Sequence, residues 1–401
     1  MRENITPSSS AGIGNYTLQH FTDAMRRGIR ADGAHLYPAM PYTAYVKVTD
    51  TDIAALYAYF MHAVTPVDAS PEATSLPFPF NIRASMVAWN VLFLDRSTFR
   101  PDATKPAEWN RGAYLVEGLA HCGTCHSPRN VLMAESSSQP LAGGKVGAWD
   151  APNITSDVAS GVGGWTGTEL VAYMRGGDAR GKGQAAGPMA EAIDHSLGRL
   201  TDADLRAIAV YLKTVPRVHD PADSRPRYAW GSASNELSAV RGVVTPREGD
   251  AMSGPQLYDA WCATCHQVDA QGSFDGGLPP LFHNTALGQP SSNNLVLVML
   301  EGIHRQGEFA ELPMPAFAHL SDRQLATLGS WLTRRYGNPA ASVTDDQVAT
   351  LRRGGSPSHL VIAVQAAIAL VVAVVAALLV AWRRRSNERE ASGRANASRH
   401  G

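Results

Sequence analysis

The sequence has few charged residues, few cysteines and no excess of charge of either sign. Asp, Glu, Lys and Arg together make up 18% of its 401 residues, and the formal net charge is −1. Because nucleic-acid-binding domains present clustered Lys and Arg, this balance argues against nucleic acid as a partner. The first ten residues contain no basic segment followed by an apolar run, so they do not form a recognisable secretory leader. The four cysteines lie in two short motifs, which leaves none for a separate disulfide or metal site.

The two motifs are Cys122-Gly-Thr-Cys125-His126 and Cys262-Ala-Thr-Cys265-His266. The C-x-x-C-H spacing is the attachment signature of c-type haem. On a helical turn, residues three and four apart share one face, so both thiols can reach the two vinyl groups of one porphyrin while the histidine faces the iron. Each motif therefore predicts one haem c, held by two thioether bonds and one axial histidine.

Two other interpretations of the cysteines are open on the pattern alone. A four-cysteine zinc site would have to join halves that are 140 residues apart, from Cys122 to Cys262, and would leave both histidines without a role. A thioredoxin-like dithiol needs a βαβ setting, whereas the flanking sequence reads as helix and Gly-rich loop. Haem attachment is therefore the preferred prediction.

The beginning of the chain repeats the part that follows the first motif. Three features recur at a constant offset of 149 residues: Asn4-Ile-Thr at Asn153-Ile-Thr, Met25-Arg at Met174-Arg, and Met40 at Met189. We therefore expect the second half of a cytochrome c domain here, with its haem motif upstream of Met1. The alternative is a degenerate repeat that has lost its haem and keeps a structural role.

The two complete units are predicted to share one helical plan. A first helix starts near Trp109 and carries the haem cysteines at its end. A helix over residues 168–175 ends at Gly176-Gly177, and its counterpart over residues 294–301 ends at Gly302, since glycine tolerates the left-handed conformation that closes a helix. The last helix of each unit begins after a hydroxyl N-cap and packs across the first helix; these caps are Thr49, Thr201 and Ser321.

A methionine beside a proline follows each motif and is the predicted sixth ligand of the iron. These residues are Met189 and Met314, with Met40 in the partial unit as ligand of a first haem if the missing segment exists. Proline keeps its neighbours out of helix, so we expect the thioether to be presented from an extended segment. A methionine ligand raises the reduction potential and leaves no open coordination site, which suits electron transfer.

Histidine is the alternative sixth ligand. His195 and His319 follow the two favoured methionines closely and would give bis-histidine haems of lower potential. Met174 and Met299 lie inside predicted helices, and we expect them to be core residues.

Residues 360–382 form an uncharged run with one polar residue, Gln365, and are long enough to span a bilayer. Arg383, Arg384 and Arg385 follow the run directly. By the positive-inside rule the tail is cytoplasmic and the haem domains are periplasmic, at the cytoplasmic (inner) membrane. Export would require a leader, which agrees with an upstream segment, and we expect the tail to be disordered.

Several longer segments carry a resemblance to a known family. They are Trp109-Asn-Arg-Gly-Ala-Tyr-Leu-Val-Glu-Gly118, His121-Cys-Gly-Thr-Cys-His-Ser-Pro-Arg-Asn130, Asn153-Ile-Thr155, Gly187-Pro-Met-Ala-Glu191 and the C-terminal run. They resemble the three-haem cytochrome c subunit of bacterial membrane-bound dehydrogenases, of the quinoprotein alcohol dehydrogenase type and the flavin-dependent gluconate or sorbitol type. The resemblance covers nearly all of the chain. It implies a large catalytic dehydrogenase subunit as partner and ubiquinone as electron acceptor. Family members have three C-x-x-C-H motifs, so a full-length member would carry three haems where two attach here.

We therefore predict an all-α protein of tandem cytochrome c-like domains with a C-terminal transmembrane helix. The predicted segments are a partial first domain (1–75), a linker (76–106), two cytochrome c domains (107–235 and 236–340), a second linker (341–358), the transmembrane helix (359–382) and the tail (383–401). The predicted function is electron relay from a periplasmic dehydrogenase to ubiquinone in the lipid membrane, with no catalytic acid, base or nucleophile. The alternatives are a cytochrome subunit of a terminal oxidase and a dihaem peroxidase-like enzyme.

Overall fold

The computed structural model describes residues 4–72, 75–275, 277–305, 313–356 and 360–397, without the side chains of residues 384 and 386–397. Most of the ordered elements are helices. Those before the first motif are α1 (Leu18–Arg27), α2 (Tyr42–Tyr45), α3 (Asp50–His62), α4 (Ser85–Phe93) and α5 (Ala107–Tyr114). The next are α6 (Gly123–His126), α7 (Gly167–Gly176), α8 (Gly187–His195) and α9 (Asp202–Leu212). The remainder are α10 (Gly254–Trp261), α11 (Ala263–His266), α12 (Thr285–Gly288), α13 (Asn293–Glu301), α14 (Asp322–Tyr336), α15 (Asp345–Arg352) and α16 (Leu360–Ala397).

Two short antiparallel hairpins correct the strict all-α prediction. Strand β1 (Gly144–Val146) pairs with β2 (Trp149–Ala151), and β3 (Asp178–Ala179) pairs with β4 (Gly183–Gln184). Both hairpins lie in Gly-rich loops of the second unit. Loop segments that return to the body of the protein must pair their backbone amides and carbonyls, and here they pair with each other.

The predicted helix ends are confirmed. The residue after α7, Gly177, has φ 75°, and the residue after α13, Gly302, has φ 74°. At the start of the last helix of each unit, the cap hydroxyl accepts a hydrogen bond from the backbone N–H three residues on. The N–H of Asp52 donates to the Thr49 hydroxyl (3.2 Å), that of Asp204 to the Thr201 hydroxyl (3.1 Å), and that of Gln324 to the Ser321 hydroxyl (3.1 Å).

The first and last helices of each complete unit cross at a glycine, as the predicted packing requires. A Cβ atom on Gly112 of α5 would lie 2.0 Å from the carbonyl oxygen of Ala207 in α9. In the third unit, a Cβ on Gly254 of α10 would lie 2.4 Å from the Cβ of Trp331 in α14. Only a residue without a side chain permits this backbone approach. Buried apolar residues surround each crossing, including Leu205 and Ile208 in one unit and Leu257 and Leu325 in the other.

The first helix of the second unit does not continue into the haem motif, contrary to the prediction. After α5 the chain makes one π-helical turn over Leu115–Leu119, and His121 has φ 38°. This break ends the helix and lets a separate turn begin at Cys122, so that the motif is oriented independently of α5.

The internal repeat has a physical basis in a hydrogen-bond network. The Asn153 side-chain oxygen accepts from the backbone N–H (2.8 Å) and hydroxyl (2.7 Å) of Thr155, and its amide donates to the Val218 carbonyl (2.7 Å). Asn4 makes the same three bonds, to both groups of Thr6 and to the Val67 carbonyl. The first segment therefore reproduces the loop that follows the haem motif in the second unit.

The second and third units are joined by a buried ion pair. The Arg305 guanidinium lies 2.6 Å from the Asp194 carboxylate, and each side chain is 8% exposed. Arg305 also donates to the Gly176 carbonyl at the end of α7. Elsewhere along this contact, the Asn294 side chain exchanges hydrogen bonds with the backbone N–H (2.9 Å) and carbonyl (2.8 Å) of Asp150.

The C-terminal helix α16 contains a candidate membrane span. Its part Leu360–Arg383 has 24 residues, is long and apolar enough to cross a bilayer, and is not buried against the rest of the chain. The expectation of a disordered tail is wrong, because the helix continues to Ala397. Its sequence beyond the span is rich in Arg, Glu and Ala, which favour helix.

Replacing Asn153 by Ala tests the repeated network. Two buried groups of Thr155 and the part-buried Val218 carbonyl would lose their partner, so we expect a loss of about 2 to 4 kcal/mol in the free energy of unfolding. Asn4→Ala is the matched control, because its network is more exposed, and its loss should be about 1 kcal/mol. Thermal unfolding followed by circular dichroism in detergent measures both. Equal losses in the free energy of unfolding for Asn153→Ala and Asn4→Ala would contradict the larger contribution assigned to the Asn153 network.

Candidate haem-binding sites

Each C-x-x-C-H motif forms one helical turn, and the second turn follows α10 directly, because the Cys262 N–H donates to the Tyr258 carbonyl at 2.9 Å. In the first, the backbone N–H groups of Cys125 (3.3 Å) and His126 (2.9 Å) both donate to the Cys122 carbonyl. In the second, Cys265 (3.1 Å) and His266 (2.9 Å) donate in the same way to Cys262. Each motif thus has the helical-turn backbone on which the prediction rests, in which residues three and four apart share one face.

The two histidines are oriented by backbone carbonyls. His126 Nδ1 lies 2.7 Å from the Pro152 oxygen, and His266 Nδ1 lies 2.9 Å from the Pro279 oxygen. A carbonyl only accepts, so Nδ1 carries the proton and Nε2 keeps its lone pair. Burial lowers the pKa of both imidazoles, and the carbonyl bond offsets part of that effect. A neutral imidazole with a fixed tautomer is the form that ligates iron.

Burial raises the pKa of three motif thiols. Burial is the main cause that raises the pKa of Cys122 and of Cys262 to about 12. The Cys125 pKa is raised as well, mainly by burial, with Glu135 adding to the effect and Arg129 opposing it. A reactive cysteine needs a lowered pKa, so the raised pKa values of Cys122, Cys125 and Cys262 argue against nucleophilic catalysis by these three thiols.

The zinc alternative is not supported by the arrangement of the side chains. In the part of the chain that the structure describes, no group of three or more His, Cys, Asp or Glu side chains comes together to hold a bare metal ion. The two cysteine pairs therefore remain separate sites. Each turn instead offers two thiols for thioether bonds to a porphyrin and one preoriented imidazole for its iron, which are the groups that haem c requires.

The methionines occupy different backbone settings. Met314 lies on an extended segment as predicted, where its N–H (3.0 Å) and carbonyl (2.9 Å) both bond to Ile303. Met189 does not lie on an extended segment, because it belongs to the first turn of α8, which begins at Gly187 with φ 51°. Proline is tolerated in the first turn of a helix, where its missing N–H needs no partner, so Pro188 begins this helix instead of preventing it. Met40 is half-buried beside the cluster of Leu36 and Tyr42.

The other methionine and histidine candidates lie in helices or against the second motif. Met174 and Met299 are buried within α7 and α13, as expected for core residues. His195 ends α8. The His319 ring packs edge-on against Trp261, directly before the second motif, with ring centroids 4.9 Å apart.

Sequence reasoning missed the groups that orient the histidines and the backbone contacts through which Arg129 secures the first motif. Pro152 and Pro279 act through backbone carbonyls, which residue type does not reveal. One signal was present, because Pro152 immediately precedes the repeated Asn153-Ile-Thr segment. Arg129 donates to the carbonyls of Thr124 (2.7 Å) and Met133 (2.9 Å) and so ties the following loop to the motif.

The helical units and their two C-x-x-C-H turns define a c-type cytochrome. Residues 249–332 match the family described as cytochrome c oxidase, cbb3-type, subunit III. The chain is 45% identical to the fructose dehydrogenase cytochrome subunit of Gluconobacter japonicus over 88% of this chain and 74% of that protein. It is 35% identical to the gluconate 2-dehydrogenase cytochrome c subunit of Pantoea cypripedii, covering 87% and 80% of the two chains. It is 34% identical to the cytochrome c subunit of the quinone-dependent alcohol dehydrogenase of Gluconobacter oxydans, covering 88% and 74%.

The chain belongs to the family of dehydrogenase cytochrome c subunits, and its cofactor is haem c. The likeness extends far beyond the segment matched by the oxidase subunit family, since the relatives cover most of both complete units. The resemblance predicted from the motifs is confirmed.

Replacing both cysteines of one motif should remove one covalently bound haem and leave the other. The double variant Cys122→Ala/Cys125→Ala loses its two thioether bonds, whereas the second motif is a separate turn and is unaffected. Intact mass measurement of the denatured chain counts the haems that remain. His121→Ala is the control, because its imidazole is beside the motif but outside the donor set. Loss of both haems from the double variant would contradict two independent sites.

Proposed function

We propose that this chain is the membrane-anchored electron-transfer subunit of a dehydrogenase complex. It accepts electrons from a large catalytic subunit, a quinoprotein or flavoprotein, and passes them to ubiquinone. The observation that carries this proposal is the match to cytochrome subunits of fructose, gluconate and alcohol dehydrogenases over most of the chain. The substrate of the catalytic partner belongs to that partner and is one of this broad class of sugars, sugar acids or alcohols.

The residues of the chain attach the haem groups and ligate their iron. When bound, haem c supplies reversible one-electron transfer at its iron. Cys122, Cys125, Cys262 and Cys265 hold the two porphyrins covalently, while His126 and His266 present Nε2 to the metal. Met189 and Met314 would supply the second protein ligand of each iron, which would leave no coordination site for a substrate.

Two haems attach within residues 107–340, and a third is proposed for a longer chain. The network of Asn4 matches that of Asn153, which supports a first unit built like the second. This unit lies against the first motif: the Tyr45 ring is 5.6 Å from the His121 ring, and the Thr49 N–H donates to the Tyr114 hydroxyl at 3.2 Å. Met40 is the proposed axial ligand of that third haem.

The membrane orientation is proposed from the arginines that flank the span. Arg383, Arg384 and Arg385 follow it, whereas only Arg352 and Arg353 precede it closely. Arg352 pairs with Asp322 at 2.9 Å and donates to two backbone carbonyls, so it serves the third unit rather than the membrane surface. The basic excess therefore lies on the C-terminal side, which supports a cytoplasmic tail and periplasmic haem units.

A terminal oxidase subunit is the second candidate function. It is favoured by the match of residues 249–332 to the cbb3-type oxidase subunit family. That match covers a single unit, whereas the dehydrogenase cytochromes match 87 to 88% of the chain, so the dehydrogenase role has the wider support.

Native mass spectrometry of the chain, extracted in mild detergent from its own membranes, tests the proposal. We expect it to copurify with a large dehydrogenase subunit and to carry three haems on a longer chain. Copurification with an oxidase core would instead establish the second candidate. Two haems on a chain that begins at Met1, with no dehydrogenase companion, would refute both the third haem and the proposed complex.

Methionine ligation is tested by two pairs of variants. We expect Met189→Ala and Met314→Ala each to abolish one methionine–iron charge-transfer band in the near infrared and to lower the potential of one haem, because the thioether stabilises the reduced iron. Met174→Ala and Met299→Ala are matched controls that should lower stability by about 2 to 5 kcal/mol and keep both bands. Absence of the band from the wild-type protein, together with a low haem potential that His195→Ala or His319→Ala changes and Met189→Ala or Met314→Ala does not, would contradict methionine ligation and identify histidine as the sixth ligand.

A further inference from the structure

The outer face of α4 is apolar and uncovered. The helix docks on the first unit through Met86 and Asn90, which are buried, and Asn90 Oδ1 accepts a 2.8 Å hydrogen bond from the Tyr42 hydroxyl. Val87 and Val91, one turn apart on the other side, are exposed, and Val91 is 71% exposed. Because Asn90 fixes the rotation of the helix, these valines cannot turn inward without breaking a buried hydrogen bond.

This face lacks the polar groups that surface helices normally present to water. Residues 84–94 contain no Asp, Glu, Lys or Arg. The Ser85 hydroxyl on the same side donates to the Ile82 carbonyl at 2.7 Å, so its hydrogen-bonding capacity is used within the chain. Leu92, Ile82 and Phe78 extend the exposed apolar area at either end of α4.

A loop of the second unit continues the area. Residues 131–133 are Val, Leu and Met, and all three are exposed, with Val131 at 82%. The Trp89 indole of α4 donates to the Leu132 carbonyl at 2.9 Å, which joins the loop to the helix. We call the combined area the apolar surface, consisting of Phe78, Ile82, Val87, Val91, Leu92 and residues 131–133. Contiguous apolar areas of this kind mark sites that are covered by another phase or molecule.

One hydrogen bond connects this surface to the candidate membrane span. Gln365, the one polar residue of the apolar run, donates through Nε2 to the Phe78 carbonyl at 2.8 Å. Gln365 is the sixth residue of α16, so it lies about 7.5 Å along the helix axis from Leu360. Apolar faces of interfacial segments enter the boundary between lipid headgroups and acyl chains by about 5–10 Å. Phe78 is therefore held at the depth of that boundary.

We propose that the apolar surface lies in the headgroup–acyl boundary of the membrane that α16 spans. The inference rests on the membrane anchoring in the proposed function. Lipid is the occupant because Gln365 fixes Phe78 beside the first two turns of the span, where acyl chains surround the helix. The chain then meets the bilayer at two places, the span and the apolar surface, and this second contact sets the orientation of the haem units over the membrane.

Cysteine reactivity in vesicles tests the proposal on the full-length, haem-loaded chain. Val91→Cys and Val131→Cys place a thiol in the apolar surface, and Val244→Cys is the matched control, since Val244 is 89% exposed on a distant segment. Each variant is reconstituted without other proteins in phosphatidylethanolamine–phosphatidylglycerol vesicles, and a water-soluble maleimide is supplied on both sides. Thioether-bound motif cysteines do not react. Rates are normalised to those of the same variants unfolded by denaturant and detergent.

We expect Cys at positions 91 and 131 to react at least tenfold more slowly than Cys at position 244. Equal rates for the three variants would overturn the proposal. Protection that appears only after a dehydrogenase subunit or excess chain is added would also overturn it, and would assign the surface to a protein contact. Failure of the anchoring by α16 can be told apart from failure of this proposal, because an unanchored wild-type chain would not float with the vesicles in a density gradient. Haem content, counted for every variant, identifies any that misfolds.

Discussion

The imidazoles of His126 and His266 each depend on a proline carbonyl, 2.7 and 2.9 Å away, and much of the surrounding structure serves these two contacts. The C-x-x-C-H turn brings the donor atoms together, but a free imidazole could rotate and could place its proton on either nitrogen. The Pro152 and Pro279 oxygens remove both freedoms, since each accepts a bond from Nδ1 and so directs Nε2 outward. In the second unit, the carbonyl is held in turn by Asn153, the next residue, whose three hydrogen bonds secure the loop.

The break between α5 and the first motif follows from the same requirement. A continuous helix would carry the orientation of α5 into the motif and leave no independent position for the haem turn. The π-helical turn and the positive φ of His121 separate the two. Packing at Gly112 can then bring α5 against α9, while the motif turns toward Pro152. The third unit places its own glycine, Gly254, at the equivalent helix crossing.

Local patterns predicted the chemistry and many of the helix ends well. The C-x-x-C-H turns, the capped helices after Thr49, Thr201 and Ser321, and the glycine stops were read correctly because each depends on residues within one turn. The extended setting predicted for Met189 was wrong for a similar local reason: the Pro-Met pair was interpreted as a helix breaker, although proline also begins helices. The disordered tail was wrong because helix-forming composition outweighed high charge. The sixth ligands and the segment boundaries remain predictions.

The sequence by itself determined the cofactor, the family and the candidate span, because thioether attachment and bilayer length each impose a short contiguous pattern on the chain. Only the tertiary structure decided which carbonyls orient the histidines, that Asn4 and Asn153 build equivalent networks, and that Arg305 joins two units through Asp194. It also brought α4, the loop at 131–133 and Gln365 to one surface. These features join residues that are tens to hundreds of positions apart, and no local period or residue type encodes such contacts.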